Sequence, residues 1–181
     1  MYNSSIMNLK EYIRSIPDYP KKGILFRDIT TLIKNEKAFT ETINQIIEIL
    51  KKYKFDKIAA IESRGFVFAS AVSYLLKKPF ILLRKKNKLP AERFSIDFEL
   101  EYGTATIEMH KDSVNMGDKV VIIDDLIATG GTAEAGAKII EMGNAQIELF
   151  IFVINLFDLG GCDKLIEKGY KVENLIEFPG H

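Results

Sequence analysis

The chain has 181 residues, 47% of them hydrophobic and 28% charged, and its 25 basic residues balance 25 acidic ones to a formal net charge of +0. This composition is too apolar for general disorder and predicts a single domain over 1–181, while the zero balance excludes a global pull onto nucleic acid or a membrane surface. Any anion binding must therefore be local.

A single cysteine, Cys162, cannot close an intrachain disulfide, the stretch MYNSSIMNLKEYIRSI lacks the apolar run of a signal peptide, and no segment is long and apolar enough to span a bilayer. The expectation is a cytoplasmic protein. Ile6, Leu9, Ile13 and Ile16 recur at helical spacing, which predicts an amphipathic helix over 5–16 that Pro17 ends. Residues 18–30, DYPKKGILFRDIT, carry two prolines and a glycine and read as loop and short strand. A helix over about 36–53 follows, capped by Asn35, with Phe39, Ile43, Ile46, Ile47 and Leu50 on its core face. The pattern then alternates: strand 58–61, exit loop 62–65 (ESRG), helix 66–76, strand 79–83. Such alternation implies right-handed crossovers, a parallel sheet flanked by helices, and ligands beyond the carboxyl ends of the strands.

Residues 84–112 break this rhythm. A basic cluster (Arg84, Lys85, Lys86, Lys88) precedes alternating Ile96, Phe98 and Leu100 and then 104–109, predicting a two-stranded flap that turns near Tyr102 and Gly103. Further on lie a strand from Val120, a helix over 133–142 ended by Gly143, a strand over 147–154, a loop over 155–161, a short helix near 163–168 and a strand near 171–177. The chain contains no internal repeat.

The stretch 120–132, VVIIDDLIATGGT, organises the rest. Its unbroken apolar run suits a strand buried on both faces and predicts a strand that stops at Asp124 and Asp125. Gly130 and Gly131 let successive amide N–H groups point into one concavity at a helix N-terminus, where dipole interactions with an anion contribute roughly 0.3–1 kcal/mol each. Thr129 and Thr132 add hydroxyl donors. The triphosphate-loop spacing and its lysine are absent. Two acceptor-only aspartates beside a phosphate loop describe a ribose 5-phosphate, although a turn and a helix cap would use the same residue types.

Other candidates have competing roles. Arg64 leaves a buried strand directly and should reach the crevice of the two aspartates, where a bidentate guanidinium suits a diphosphate; an ion pair with Glu62 or another acid is the alternative. The cluster at 84–88 reads as local phosphate binding or a solvated run, with no interleaved aromatics to favour nucleic acid. Glu101 is either solvated or a lid-borne general acid or base. His110, His181 and Cys162 carry no metal or nucleophile signature.

With these pieces placed, the chain resembles the adenine phosphoribosyltransferase family of type I phosphoribosyltransferases along nearly its whole length. DYPKKGILFRDIT at 18–30, ESRGF at 62–66, RKKNKLP at 84–90, LEYGTATIEMHKD at 100–112 and VVIIDDLIATGGT carry the resemblance. It implies a central, mainly parallel sheet, a small N-terminal hood over about 1–34 that binds the base, and a flexible β flap over about 85–112. It implies transfer of the phosphoribosyl group from 5-phosphoribosyl 1-diphosphate to adenine, giving AMP and diphosphate, with magnesium held through substrate and Asp124 and Asp125 reaching it at most through water. Ala128, Thr129, Gly130, Gly131 and Thr132 would hold the 5-phosphate, Asp124 and Asp125 the ribose hydroxyls, and Ser63, Arg64, Arg84, Lys85 and Lys88 the diphosphate. Phe26 would stack on adenine, backbone groups of Leu25 and Arg27 would read its edge, Leu159 would cover the other face, and Glu101 would handle the ring-nitrogen proton. A homodimer is implied. The chain departs from the family pattern at Thr31, Ala91, Asn155 and Cys162. Two readings compete: an enzyme for another purine such as xanthine or guanine, and a non-catalytic phosphoribosyl-diphosphate sensor.

Overall fold

The four apolar residues Val120 to Ile123 are each wholly buried because the sheet that holds them is covered on both faces. The structure, a computed structural model, describes residues 7–99 and 103–180. In chain order, β1 (Arg14–Pro17) and β2 (Leu25–Asp28) form a two-stranded antiparallel sheet, followed by a one-turn helix α1 (Thr30–Ile33) and α2 (Glu36–Leu50). Then come β3 (Lys57–Ile61), α3 (Gly65–Leu76), β4 (Phe80–Lys85), β5 (Arg93–Glu99), β6 (Thr104–His110), β7 (Lys119–Ile127), α4 (Gly131–Met142), β8 (Gln146–Leu156), α5 (Gly161–Glu167) and β9 (Val172–Phe178). The large sheet has the order β5-β6-β4-β3-β7-β8-β9. Its five central and C-terminal strands pair in parallel, and only the β5–β6 hairpin and its junction with β4 are antiparallel.

Alternate residues of β7 face opposite cores. Val121 and Ile123 pack with Ile46, Leu50, Phe68 and Val72 from α2 and α3, whereas Val120 and Ile122 pack with Ala137, Ile139 and Ile140 from α4. Asn35 caps α2 by accepting the Ala38 N–H at 3.0 Å, and Gly143 ends α4, as the sequence predicts.

Two expectations are corrected. The predicted helix over 5–16 is, from Met7 on, only a 3-10 turn (Leu9–Tyr12) followed by β1. The helical spacing of Leu9 and Ile13 is satisfied by one turn docked in the core, after which the backbone extends to pair Arg14 with Asp28 and Pro17 with Leu25. Thr31 fastens this corner: its hydroxyl donates to Tyr12 O at 2.6 Å and accepts the Arg14 N–H at 3.2 Å. Second, β7 does not stop at the aspartates but runs to Ile127, because β8 keeps pairing with it through Asn155. The predicted two-stranded flap forms as the antiparallel pair β5 and β6. Its strands join the main sheet through Arg84 opposite Glu108 and Lys85 opposite Ile107, while its predicted turn at Tyr102 lies outside the described residues.

Asp28 locks the N-terminal sheet to α1. Its Oδ1 accepts the Thr30 N–H at 2.9 Å and the Thr30 hydroxyl at 2.7 Å, while its Oδ2 accepts Arg14 Nε at 3.1 Å. The Thr30 and Arg14 hydrogen bonds hold its carboxyl down to about 2 from the ordinary 3.8. A depressed folded-state pKa contributes stability above the unfolded value that is lost as pH falls through the folded one. Asp28→Asn should therefore lower urea stability at pH 7, and the gap to the parent chain should narrow below pH 3.8 and close toward pH 2.

Candidate active site

β3 pairs with β7 only as far as Ala59 opposite Ile122, while β8 continues along the other side of β7. Asp124 and Asp125 therefore sit in a strand with one edge released, facing the 62–64 turn that leaves β3. The Asp125 N–H donates to Asp124 Oδ1 at 2.9 Å, and Arg64 Nε lies 2.7 Å from Asp125 Oδ2. The ion-pair alternative for Arg64 is realised, with Asp125 as partner, yet its side chain keeps 47% exposure toward the cavity. Gly65 is required beside it, because a Cβ there would lie 2.6 Å from Asp124 Oδ1 and 3.0 Å from Ile123 O. Burial, then the neighbouring Asp125 charge, pushes the Asp124 carboxyl well above the ordinary carboxylate range. Burial also raises Asp125, against the pull of Arg64.

Beyond Ile127 the chain turns through Ala128, Thr129 and Gly130 into α4. Gly130 has φ +83°, a left-handed conformation that glycine adopts without strain, and its carbonyl accepts the Glu134 N–H at 2.9 Å. This loop is braced from behind, since a Cβ on Gly161 at the start of α5 would lie 2.3 Å from Ala128 O and 2.8 Å from Gly130 N. The 61–64 turn, Lys85 and residues 124–133 line a cavity of about 430 Å³. Ser63 and Arg64 face the phosphate loop across it.

Two further cavities open from this one. Arg84, Lys85, Lys86 and Lys88 line one of about 600 Å³ that shares Glu62 and Thr132 with the first. Glu62 organises the cluster by accepting the Lys85 N–H at 3.0 Å and Arg84 Nε at 3.2 Å, and the Lys85 N–H bond chiefly lowers its pKa. The other, of about 660 Å³, is flanked by Leu25, Phe26 and Arg27 on one side and by Leu126, Leu156 and Leu159 on another. Arg64 is common to this apolar slot and the phosphate cavity, its guanidinium 5.6 Å from the centre of the Phe26 ring. β2 pairs with β1 along one edge, and no strand covers its other edge among the described residues. The Arg27 side chain turns away into the core, donating to Ser15 Oγ and, at 2.9 Å, to Pro179 O, which leaves its backbone on the slot side.

The structure thus brings together Ser63, Arg64, Lys85, Asp124, Asp125 and residues 128–132, sets Arg84 and Lys88 in an adjoining cavity, and gathers Leu25, Phe26, Arg27 and Leu159 around a slot. Glu101 lies outside the described residues. Sequence reasoning missed Glu99, Asp158 and Gly180, the first and last of which line the slot; a glycine after a terminal strand and an acid beside a leucine carry no local signal. Among the departures, Asn155 is buried in β8 with its Oδ1 lacking a hydrogen-bond partner, and burial pushes the Cys162 thiol up to about 11, leaving it protonated at neutral pH.

The phosphoribosyl transferase domain model matches residues 28–178. The adenine phosphoribosyltransferase of Pelagibacter ubique (strain HTCC1062) is 79% identical over 175 residues, covering 97% of this chain and 100% of that one. The crystal structure of adenine phosphoribosyltransferase from Thermoanaerobacter pseudethanolicus superposes with a TM-score of 0.91 at 47% identity, over 96% of this chain and 100% of that one. The Saccharomyces cerevisiae enzyme, solved in complex with an imino-altritol bisphosphate and adenine, gives a TM-score of 0.86 at 34% identity, over 94% of this chain and 97% of that one. Sharing the domain, the fold and nearly its whole length with these proteins, the chain belongs to the adenine phosphoribosyltransferase family.

Proposed function

We propose that this chain, acting as a single domain, transfers the phosphoribosyl group of 5-phosphoribosyl 1-diphosphate to adenine in purine salvage, releasing AMP and diphosphate. The observation that carries this reading is the shared wall: the apolar slot and the phosphate cavity meet at Arg64, Leu126 and Ala128. A base in the slot and a 5-phosphate on the loop put the anomeric carbon between them. The amide groups of 128–132 with Thr129 and Thr132 bind the 5-phosphate, and Asp124 and Asp125 accept from the ribose hydroxyls. Ser63, Arg64 and Lys85 receive the diphosphate, with Arg84 and Lys88 at its outer end. Bond breaking leaves positive charge on the ribose beside the aspartates and negative charge on the leaving group beside these cations, so the fixed charges favour the transition state over the ground state. Phe26 and Leu159 sandwich the purine, backbone groups of Leu25 and Arg27 read its edge, and Glu101 manages the ring-nitrogen proton.

Among the described residues no group of three or more His, Cys, Asp or Glu stands together to hold a metal ion. Asp124 and Asp125 are oxygen donors that would suit magnesium carried on substrate oxygens and reached through water. Bound in that way, magnesium neutralises charge on the diphosphate. Assembly as a homodimer is part of the same reading, supported by an apolar stripe on α3, where Val67, Tyr74 and Leu75 are 37%, 82% and 54% exposed. Residence in the cytoplasm accords with a lone, buried thiol.

Four outcomes test the proposal. Offered adenine, guanine, hypoxanthine and xanthine with 5-phosphoribosyl 1-diphosphate, the protein should form a nucleotide from adenine; turnover of a 6-oxopurine instead would relocate the base preference, and binding without turnover would make it a sensor. Glu101→Ala should lower kcat/KM by about 10²- to 10⁴-fold and Asp125→Asn by about 10- to 100-fold, as expected for a lost proton-transfer group and a lost charged hydrogen bond. Chelating magnesium should stop turnover reversibly. Finally, Tyr74→Asp with Leu75→Asp should convert a dimer to a monomer in light scattering, and a parent chain already monomeric would refute that part.

A further inference from the structure

The apolar slot is lined in part by Gly180, the second residue after β9, and neither it nor the preceding Pro179 belongs to any motif in the sequence. Gly180 is buried and lines the slot. Its N–H donates to Asp158 Oδ1 at 2.6 Å, tying it to the 3-10 turn (Phe157–Leu159) that presents Leu159. Pro179 is held from the opposite wall, its carbonyl accepting from Arg27 Nη2 at 2.9 Å, while the Arg27 guanidinium lies 4.4 Å from the centre of the preceding Phe178 ring. Asp158 is also close enough to Arg27 to oppose the lowering of its pKa by burial. Three consecutive residues thus link the strand bearing Leu25 and Phe26 to the turn bearing Leu159. The link has no room to spare: a Cβ on Gly180 would lie 2.6 Å from Leu159 Cγ, 2.8 Å from its Cδ1 and 3.0 Å from Asp158 Oδ1. Because Cγ is the branch point rather than the tip of the side chain, the whole of Leu159 would have to move.

We infer that Gly180 and Asp158 are positioning residues for the purine: the Asp158 to Gly180 hydrogen bond seats Leu159 on Gly180 and so fixes the width of the base slot. This rests on the reading of that slot as the adenine site. Neither residue touches the phosphate loop in any contact described, so their effect falls on the base and not on the phosphoribosyl donor. A pocket for a flat ring discriminates by fit, and a change of one methyl-sized group in such a pocket shifts selectivity by about 10- to 200-fold.

The full-length chain carrying Leu159→Ala, Gly180→Ala, both together, Asp158→Ala or Asp158→Asn provides the test, with KM measured separately for adenine and for 5-phosphoribosyl 1-diphosphate. Gly180→Ala should raise the adenine KM by about tenfold and leave the donor KM within about twofold. Added to Leu159→Ala it should have no further effect, because the side chain it displaces is already gone. Asp158→Ala should shift the adenine KM in the same direction, and Asp158→Asn should restore much of it, since an amide oxygen still accepts the Gly180 N–H. An unchanged adenine KM in Gly180→Ala, an equal rise in both KM values, or additivity in the double variant would overturn the inference while Leu159→Ala still marks the base site. If Leu159→Ala itself leaves the adenine KM unchanged, the underlying slot assignment fails instead. Should Gly180→Ala not fold, the Asp158 variants decide, and an unchanged adenine KM in Asp158→Ala overturns the proposal.

Discussion

The site depends on an asymmetry in how β7 is hydrogen-bonded. On one side β8 pairs with it through Asn155, whereas on the other β3 lets go after Ile122. That release opens a notch in a sheet otherwise covered on both faces, and residues 124 and 125 line it at the carboxyl end of the strands. A parallel sheet places its strand ends, and the helix N-termini that follow them, on one side, which is where an anion finds unpaired N–H groups. Strand rigidity on the β8 side and an open edge on the β3 side are both needed. A loop would place the aspartates loosely, and a fully paired strand would leave no room for a sugar.

The same notch explains the electrostatics. Two adjacent carboxylates largely withdrawn from water repel each other and lose hydration, so the pair retains protons more readily than free aspartate. Arg64 enters the notch from the turn after β3 and partly offsets this by pairing with Asp125. Its position follows from the chain: the strand ends at Ile61, and Gly65 lets the start of α3 settle directly on Asp124. The Arg64 side chain stays half-exposed while it makes this pair.

Much of this was legible in the sequence, for identifiable reasons. The runs at 58–61 and 120–123 are apolar on both faces, which only a doubly covered strand explains, and Asn35 and Gly143 mark helix ends by local chemistry. The turn over 128–130 and the helix start at Gly131 could be read because their requirements are local as well: small residues and glycines. What failed was set by tertiary pairing. Residues 9–16 have helical spacing, but Arg14–Pro17 gain more from pairing with β2 and from the Thr31 hydroxyl than from a short isolated helix, which is marginal in water. The continuation of β7 through two aspartates was equally hidden, since the cause lies in β8.

The elements missed altogether share a feature, which is that they act through backbone contacts made by residues distant in sequence. Gly161 meets the backbone of Ala128 and Gly130, and Gly180 meets Asp158 and Leu159. In each case the sequence shows a glycine that would serve as an ordinary turn, while the fold uses the missing side chain to bring two segments into contact. The phosphate loop and the base slot are each backed by such a contact, and the two backings lie at opposite ends of the same short stretch: Leu159 before α5 and Gly161 at its start. Residues 158–161 therefore touch both the wall of the apolar slot, through Leu159, and the back of the 128–130 loop, through Gly161.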